Sequence, residues 1–169
     1  MKAVIFSDTH GNMARLRKMM KLHEDADMFV HLGDGAREFE ASAALYKNKR
    51  IVSVTGNCDV FMLGEKMPPA EAVVELDGFM LFFTHGHKYG VKYGDVSLLA
   101  RARELGVDAV FYGHTHVPRC EYLPPREVVN EKPLYVVCPG SLGQPRAGKP
   151  SYAVAETYGG KLICRLAEI

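Results

Sequence analysis

Lys2-Ala3-Val4-Ile5-Phe6-Ser7-Asp8-Thr9-His10 opens the chain, and from this stretch the fold can be read outward. The apolar run Ala3 to Phe6 makes Lys2–Phe6 a short strand, and it runs directly into Asp8 and His10. After Gly11, Met13, Leu16 and Met20 fall at i, i+3 and i+7, the spacing of an amphipathic helix. Met28 to Leu32 reads as a second strand. Phe39, Ala43 and Tyr46 mark a second helical face, and Ile51 to Val54 a third strand. A β-α-β-α-β order in the first third predicts a largely parallel sheet. Farther on, Asp77-Gly78 joins Ala72–Leu76 to Phe79–Thr84 in a hairpin. A helix is expected from about Asp95 to Leu105, stopped by Gly106, and then a strand from Asp108 to Tyr112. The remainder is β-rich: Leu134–Cys138, Ser151–Glu156 and Leu162–Leu166. The expected organisation is α/β, with helices covering two packed sheets in a single domain over residues 1–169.

Composition narrows the function. At 169 residues, with 47% hydrophobic and 24% charged residues, the chain suits a folded domain and excludes a disordered tail or coiled coil. Lys and Arg number 21 against 20 Asp and Glu, a net charge of +1, so no global field draws the chain to nucleic acid or an anionic membrane. Apolar runs such as Phe79–Phe83 are too short to span a bilayer, and the N-terminus lacks the pattern of a signal peptide, so a cytoplasmic location is expected. Cys58, Cys120, Cys138 and Cys164 are scattered without a CxxC pair and read as separate reduced thiols.

Each of five strands ends in metal-binding residue types, usually beside a glycine. These are Asp8-Thr9-His10, Gly33-Asp34, Gly56-Asn57-Cys58-Asp59, His85-Gly86-His87 and Gly113-His114-Thr115-His116. Any one of them alone reads as turn or cap chemistry. In α/β sheets, however, ligand sites lie beyond the carboxyl ends of the strands, so five such endings can converge on one spot. Hard oxygens mixed with imidazole nitrogens suit Mn²⁺, Fe²⁺, Ni²⁺, Co²⁺ or Zn²⁺ better than Ca²⁺. Seven donors exceed the needs of one ion and fit two with a shared carboxylate, an arrangement common in phosphoesterases.

The ordered set resembles the calcineurin-like metallophosphoesterases, whose motifs run D-x-H, GD, GN-x-[DE], H and GHxH. It is most similar to the small prokaryotic phosphodiesterases of the YfcE type. Cys138-Pro139-Gly140-Ser141-Leu142 resembles the N-P-G-S stretch that follows the last motif. The resemblance implies a four-layer α/β/β/α sandwich with two mixed β-sheets flanked by helices. It implies that Asp8, His10, Asp34 and His116 hold one divalent ion, and Asp34, Asn57, His85 and His114 a second, with Asp34 as the bridge. Mn²⁺ stands first among the candidate ions, with Ni²⁺, Fe²⁺, Co²⁺ and Zn²⁺ behind it.

The reaction implied is hydrolysis of a phosphate ester, above all a small phosphodiester, by a hydroxide held between the two ions. Asn57, Cys58, Asp59 and His87 are the expected catalytic residues beside the ligands. His87 is placed either behind the ligands or facing substrate, and Asp59 as an acceptor orienting a histidine. Asn12 and Arg146 are the expected substrate contacts, although Arg146 reads equally as a surface arginine. Many relatives carry a histidine where this chain has Cys58, and a thiol is the poorer proton donor to a leaving group. Arg15, Arg17, Lys18 and Lys21 read as the solvated face of the first helix. Nucleic acid and membrane are not expected as partners, whereas a homodimer is in keeping with small members of the family. The alternative is a non-catalytic scaffold of the same fold, as in the retromer subunit, but a scaffold has no need of all seven donors.

Overall fold

The computed structural model describes residues 1–59, 66–125 and 132–169. Among these residues ten strands and three α-helices follow in the order β1 (Lys2–Phe6), α1 (Met13–Leu22), β2 (Met28–His31), α2 (Ala36–Ala43), β3 (Arg50–Ser53), β4 (Glu71–Leu76), β5 (Phe79–Thr84), α3 (Val96–Leu105), β6 (Ala109–Tyr112), β7 (Arg119–Leu123), β8 (Leu134–Cys138), β9 (Ser151–Tyr158) and β10 (Lys161–Glu168), with one 3-10 turn, His87–Tyr89, after β5. They form two five-stranded sheets, ordered β10-β9-β1-β2-β3 and β4-β5-β6-β8-β7. Both sheets are mixed. Strands β1, β2 and β3 run parallel, as do β5, β6 and β8, while β9, β10, β4 and β7 add antiparallel edges.

Alternation along the strands builds the four layers. In β1, Ala3 and Ile5 face the other sheet and pack with Leu81, Phe83, Ala109 and Phe111. Val4 and Phe6 face the opposite way, onto Leu16, Met20 and Phe39 of α1 and α2. Phe82 of β5 and Val110 of β6 face outward onto Leu98 and Ala102 of α3. A strand covered on both faces must be apolar at every position, which is why β1 and β5 read as unbroken hydrophobic runs. The result is the expected α/β/β/α sandwich. Among the described residues no helix is long and apolar enough to cross a membrane.

Three local features depart from the sequence reading. Strand β7 was not anticipated: it is an edge strand with mostly exposed side chains, so it carries no apolar alternation. Tyr46 lies beyond the end of α2, yet it still packs edge-on against Phe29 with ring centroids 5.2 Å apart. Arg15 is half-buried rather than solvated, and its guanidinium donates to the Leu142 carbonyl.

Candidate metal centre

The carboxyl ends of β1, β2, β5 and β6 lie at one end of the sandwich, because these strands are parallel within their sheets and the sheets are stacked. Six non-glycine residues among those described have positive φ, and five of them are Asp8 (52°), His10 (43°), Asp34 (57°), His114 (67°) and His116 (59°). Left-handed backbone costs a non-glycine residue of order 1–3 kcal/mol, and it persists only where the surroundings enforce it. Here it turns successive donors inward from the strand ends. Two glycines permit the close approach without needing positive φ themselves. A Cβ on Gly56 would run into the carboxylate and amide of Asp34, and one on Gly113 into Ser7 Oγ and Asp8 Oδ2.

Seven sequence-predicted donors meet at this spot. Asp8, His10 and His116 form one cluster and Asp34, His85 and His114 another, the donor atoms within each lying no more than 4.8 Å apart. Asp34 stands between them: its Oδ2 is 3.5 Å from His85 Nε2 and 3.9 Å from His10 Nε2. Asn57 Oδ1 lies 3.1 Å from His85 Nε2. The rings of His85 and His114 have centroids 5.0 Å apart, as do those of His10 and His116.

The proton positions show what the cluster lacks. His85 Nδ1 is 2.7 Å from the Leu32 carbonyl, and His116 Nδ1 is 2.6 Å from the Gln144 carbonyl. A carbonyl only accepts, so both Nδ1 atoms carry the proton and the neutral rings present Nε2 lone pairs. His85 Nε2 therefore faces the oxygens of Asp34 and Asn57, and His116 Nε2 lies 3.0 Å from Asp8 Oδ1. Asp8 Oδ1 is buried and without a hydrogen bond. Lone pairs facing lone pairs in a buried site need a second proton on each ring or a cation between them. Divalent ions fit this set, with imidazole and carboxylate donors and each histidine fixed by a carbonyl behind it.

Without ions the second proton fills that role: burial disfavours charge on His85, but Asp34 and Asp8 outweigh it and raise its pKa, and the contact with Asp8 raises that of His116. Burial alone would raise the Asp8 pKa, but His116, His85 and Ser7 outweigh it and bring it below the usual carboxylate value. Asp34 is likewise desolvated, and contact with His85 and Cys58 holds it far below the carboxylate range. His114 falls to about 4 through burial and the neighbouring His85 and Lys92. Partial burial and the adjacent Asp34 push the Cys58 thiol up to about 11.

The supporting residues were less legible. Asp59 is buried and its carboxylate accepts four backbone amides: Asp34 N and Gly56 N on Oδ2, both at 2.8 Å, and Gly35 N at 2.9 Å and Ala36 N at 3.2 Å on Oδ1. It thus orients the Asp34 loop and the start of α2, not a histidine as expected. Ser141, inside the Pro-Gly-Ser segment, donates to the Asp8 carbonyl at 2.7 Å and accepts from Gln144 N at 2.8 Å. That segment therefore positions Asp8 directly and His116 through the Gln144 carbonyl. His31 is fully buried between Thr9 Oγ1 and Gly33 N.

Of the remaining candidates, Asn12 caps α1, its Oδ1 accepting from Arg15 N at 3.1 Å. Arg146 is exposed, with its amide donating to the His116 carbonyl at 3.0 Å. His87 is half-buried, its ring centroid 5.3 Å from that of His85, and its Nδ1 has no partner. Sequence reasoning passed over Arg37. It is exposed, and with His10, Asp34 and Cys58 it lines a groove of about 280 Å³ beside the centre. Its position near the start of α2 gave no signal, since a charged residue there reads as a solvated helix face.

Known proteins resemble this chain in sequence and in fold. A model of the calcineurin-like phosphoesterase superfamily domain matches residues 1–160. The chain is 31% identical over 156 residues to the probable metallophosphoesterase YsnB of Bacillus subtilis, covering 91% of this chain and 83% of that protein. It is 28% identical over 170 residues to the phosphodiesterase YfcE of Escherichia coli K12, covering 89% and 84%. Vacuolar Protein Sorting 29 of Cryptosporidium parvum superposes with a TM-score of 0.70 at 16% identity, covering 99% of this chain and 97% of that one, a likeness of fold alone. All five strand-end motifs fall inside the matched span, and the chain belongs to the calcineurin-like phosphoesterase superfamily.

Proposed function

We propose that the chain, as one catalytic domain over residues 1–169, is a phosphodiesterase dependent on two divalent metal ions. The observation that carries this reading is the pair of donor clusters meeting at Asp34, with imidazole Nε2 atoms turned toward carboxylate oxygens. Asp8, His10, Asp34 and His116 would hold one ion, and Asp34, Asn57, His85 and His114 the other. Such ions supply Lewis acidity toward a phosphoryl oxygen and activation of a water. The chain's own groups do the rest. Asn57 offers a neutral amide oxygen, which leaves the centre less repulsive to a phosphate than a third carboxylate would. The carbonyls of Leu32 and Gln144 fix the ring faces of His85 and His116. Arg37, which has no partner among the described residues, and Arg146, close enough to His116 to act on its charge, are cations available to a phosphate oxygen at the rim. Cys58, held as a thiol, is a weak acid for the departing oxygen, so substrates with good leaving groups are favoured.

The test is turnover of paired chromogenic phosphodiester and phosphomonoester substrates by chelator-stripped protein, before and after Mn²⁺ is returned. The expected result is restored turnover, faster on the diester, and its loss in Asn57→Ala and His116→Ala. Metal uptake by a folded protein without turnover would move the reading to a protein-interaction scaffold.

A further inference from the structure

The two sheets leave a slot at the end of the sandwich away from the metal centre, beside the amino ends of β5, β6 and β8. Stacked twisted sheets diverge at their corners, and here the side chains of β7, β8 and β10 do not fill the gap. The slot measures about 440 Å³, within the range of small-molecule sites. Tyr122 and Tyr135 form its aromatic wall: they are a cross-strand pair of β7 and β8, with ring centroids 5.0 Å apart. Phe79 and Leu162 complete an apolar floor continuous with the layer between the sheets. Tyr122 is nevertheless 51% exposed, so the wall stands open to a ligand. Two charged groups sit on the rim. The Asp108 carboxylate is already engaged, accepting from Met80 N at 2.7 Å and from Lys132 Nζ at 2.9 Å. Lys161 is exposed and has no partner among the described residues. With Asp108 offset by Lys132, the mouth keeps one positive charge. We propose that this slot binds a flat aromatic molecule carrying a single anionic group, its ring against Tyr122 and Tyr135 and its charge beside Lys161. Aromatic rings that meet edge-on or offset gain more than equal aliphatic area does, and the lone ammonium selects the charge. The inference is independent of the phosphodiesterase reading, because the slot shares no residue with the donor clusters.

The probe is anilinonaphthalene sulfonate, titrated by its fluorescence into the full chain with and without Mn²⁺; the chain has no tryptophan to interfere. The expected result is one saturable site per chain, indifferent to Mn²⁺. Tyr122→Ser, at an exposed position, should weaken the dye by about tenfold or more while leaving the thermal midpoint unchanged. Lys161→Gln should weaken it about three- to fivefold and remove most of its salt dependence. Octanesulfonate should compete with the dye less well than naphthalenesulfonate. Equal affinity in Tyr122→Ser and wild type, or better competition by the aliphatic sulfonate, would overturn the aromatic site. An unchanged affinity in Lys161→Gln would overturn the assignment of the charge. Dye binding that needs Mn²⁺ would place the dye at the metal centre and overturn the proposal. So would a wild-type dimer that Tyr122→Ser dissociates, because a second copy of the chain would then occupy the slot.

Discussion

Asp59→Asn isolates the clamp beneath the centre. The substitution is nearly isosteric but exchanges one acceptor oxygen for an NH₂ group. Two of the four backbone amides keep an oxygen, and the other two, buried with it, then face a donor. Hydrogen bonds to a charged group contribute about 1.5–3 kcal/mol each, so the loss of two costs about 3–6 kcal/mol. For a chain of this size each kcal/mol moves the midpoint by roughly 2–4 °C, which makes the expected drop roughly 6–24 °C. The assay is thermal and urea unfolding of metal-free wild type and variant, with Asp25→Asn as control. Among the described residues the Asp25 carboxylate is ion-paired with Lys2 at the surface, and its removal should change little. Metal affinity should also fall about 10–100-fold in Asp59→Asn, because the Asp34 loop is no longer held. A stability change as small as that of Asp25→Asn would refute the clamp.

Further outcomes follow from the same geometry. Gly113→Ala forces a methyl group into Ser7 Oγ and within 2.8 Å of Asp8 Oδ2, so it should abolish metal binding even if the protein still folds, as calorimetric metal titration would show. Burial lowers His31 to about 4, so the unfolded state binds the extra proton first as pH falls. Its contribution is complete above about 6.5 and is lost as pH drops toward 4, up to about 3 kcal/mol; urea titrations of metal-free protein between these limits should give a shallower pH slope in His31→Gln. Arg37→Ala should raise KM for anionic substrates more than it lowers kcat, read from steady-state kinetics across salt concentrations. Turnover should depend steeply on leaving-group pKa, with aryl diesters far ahead of alkyl diesters.

Sequence carried the donors and the layered sheets because both follow from order along the chain. A polar burst after an apolar run marks a strand end, and parallel strands bring their ends together, so Asp8, Asp34, His85 and His114 could be placed before any coordinates. Cys58 also fell near the centre, although its spacing said nothing about where its sulfur would sit. What stayed hidden depends on backbone atoms, which have no letter in the sequence. The role of Asp59 became visible only when four amides from two loops met its carboxylate. The cap that Asn12 places on α1 likewise depends on the Arg15 amide, which its Oδ1 meets. Strand β7 escaped because an edge strand with exposed side chains needs no hydrophobic alternation.

The central claim is a two-ion centre joined through Asp34, and the most direct measurement is phosphodiester turnover of metal-free protein against equivalents of Mn²⁺ added per chain. The account predicts no turnover at zero metal and a rise that breaks near two equivalents, as a two-metal site requires. In Asp34→Asn the break should be lost together with turnover. Full activity without metal, or a sharp break at one equivalent that survives in Asp34→Asn, would contradict it.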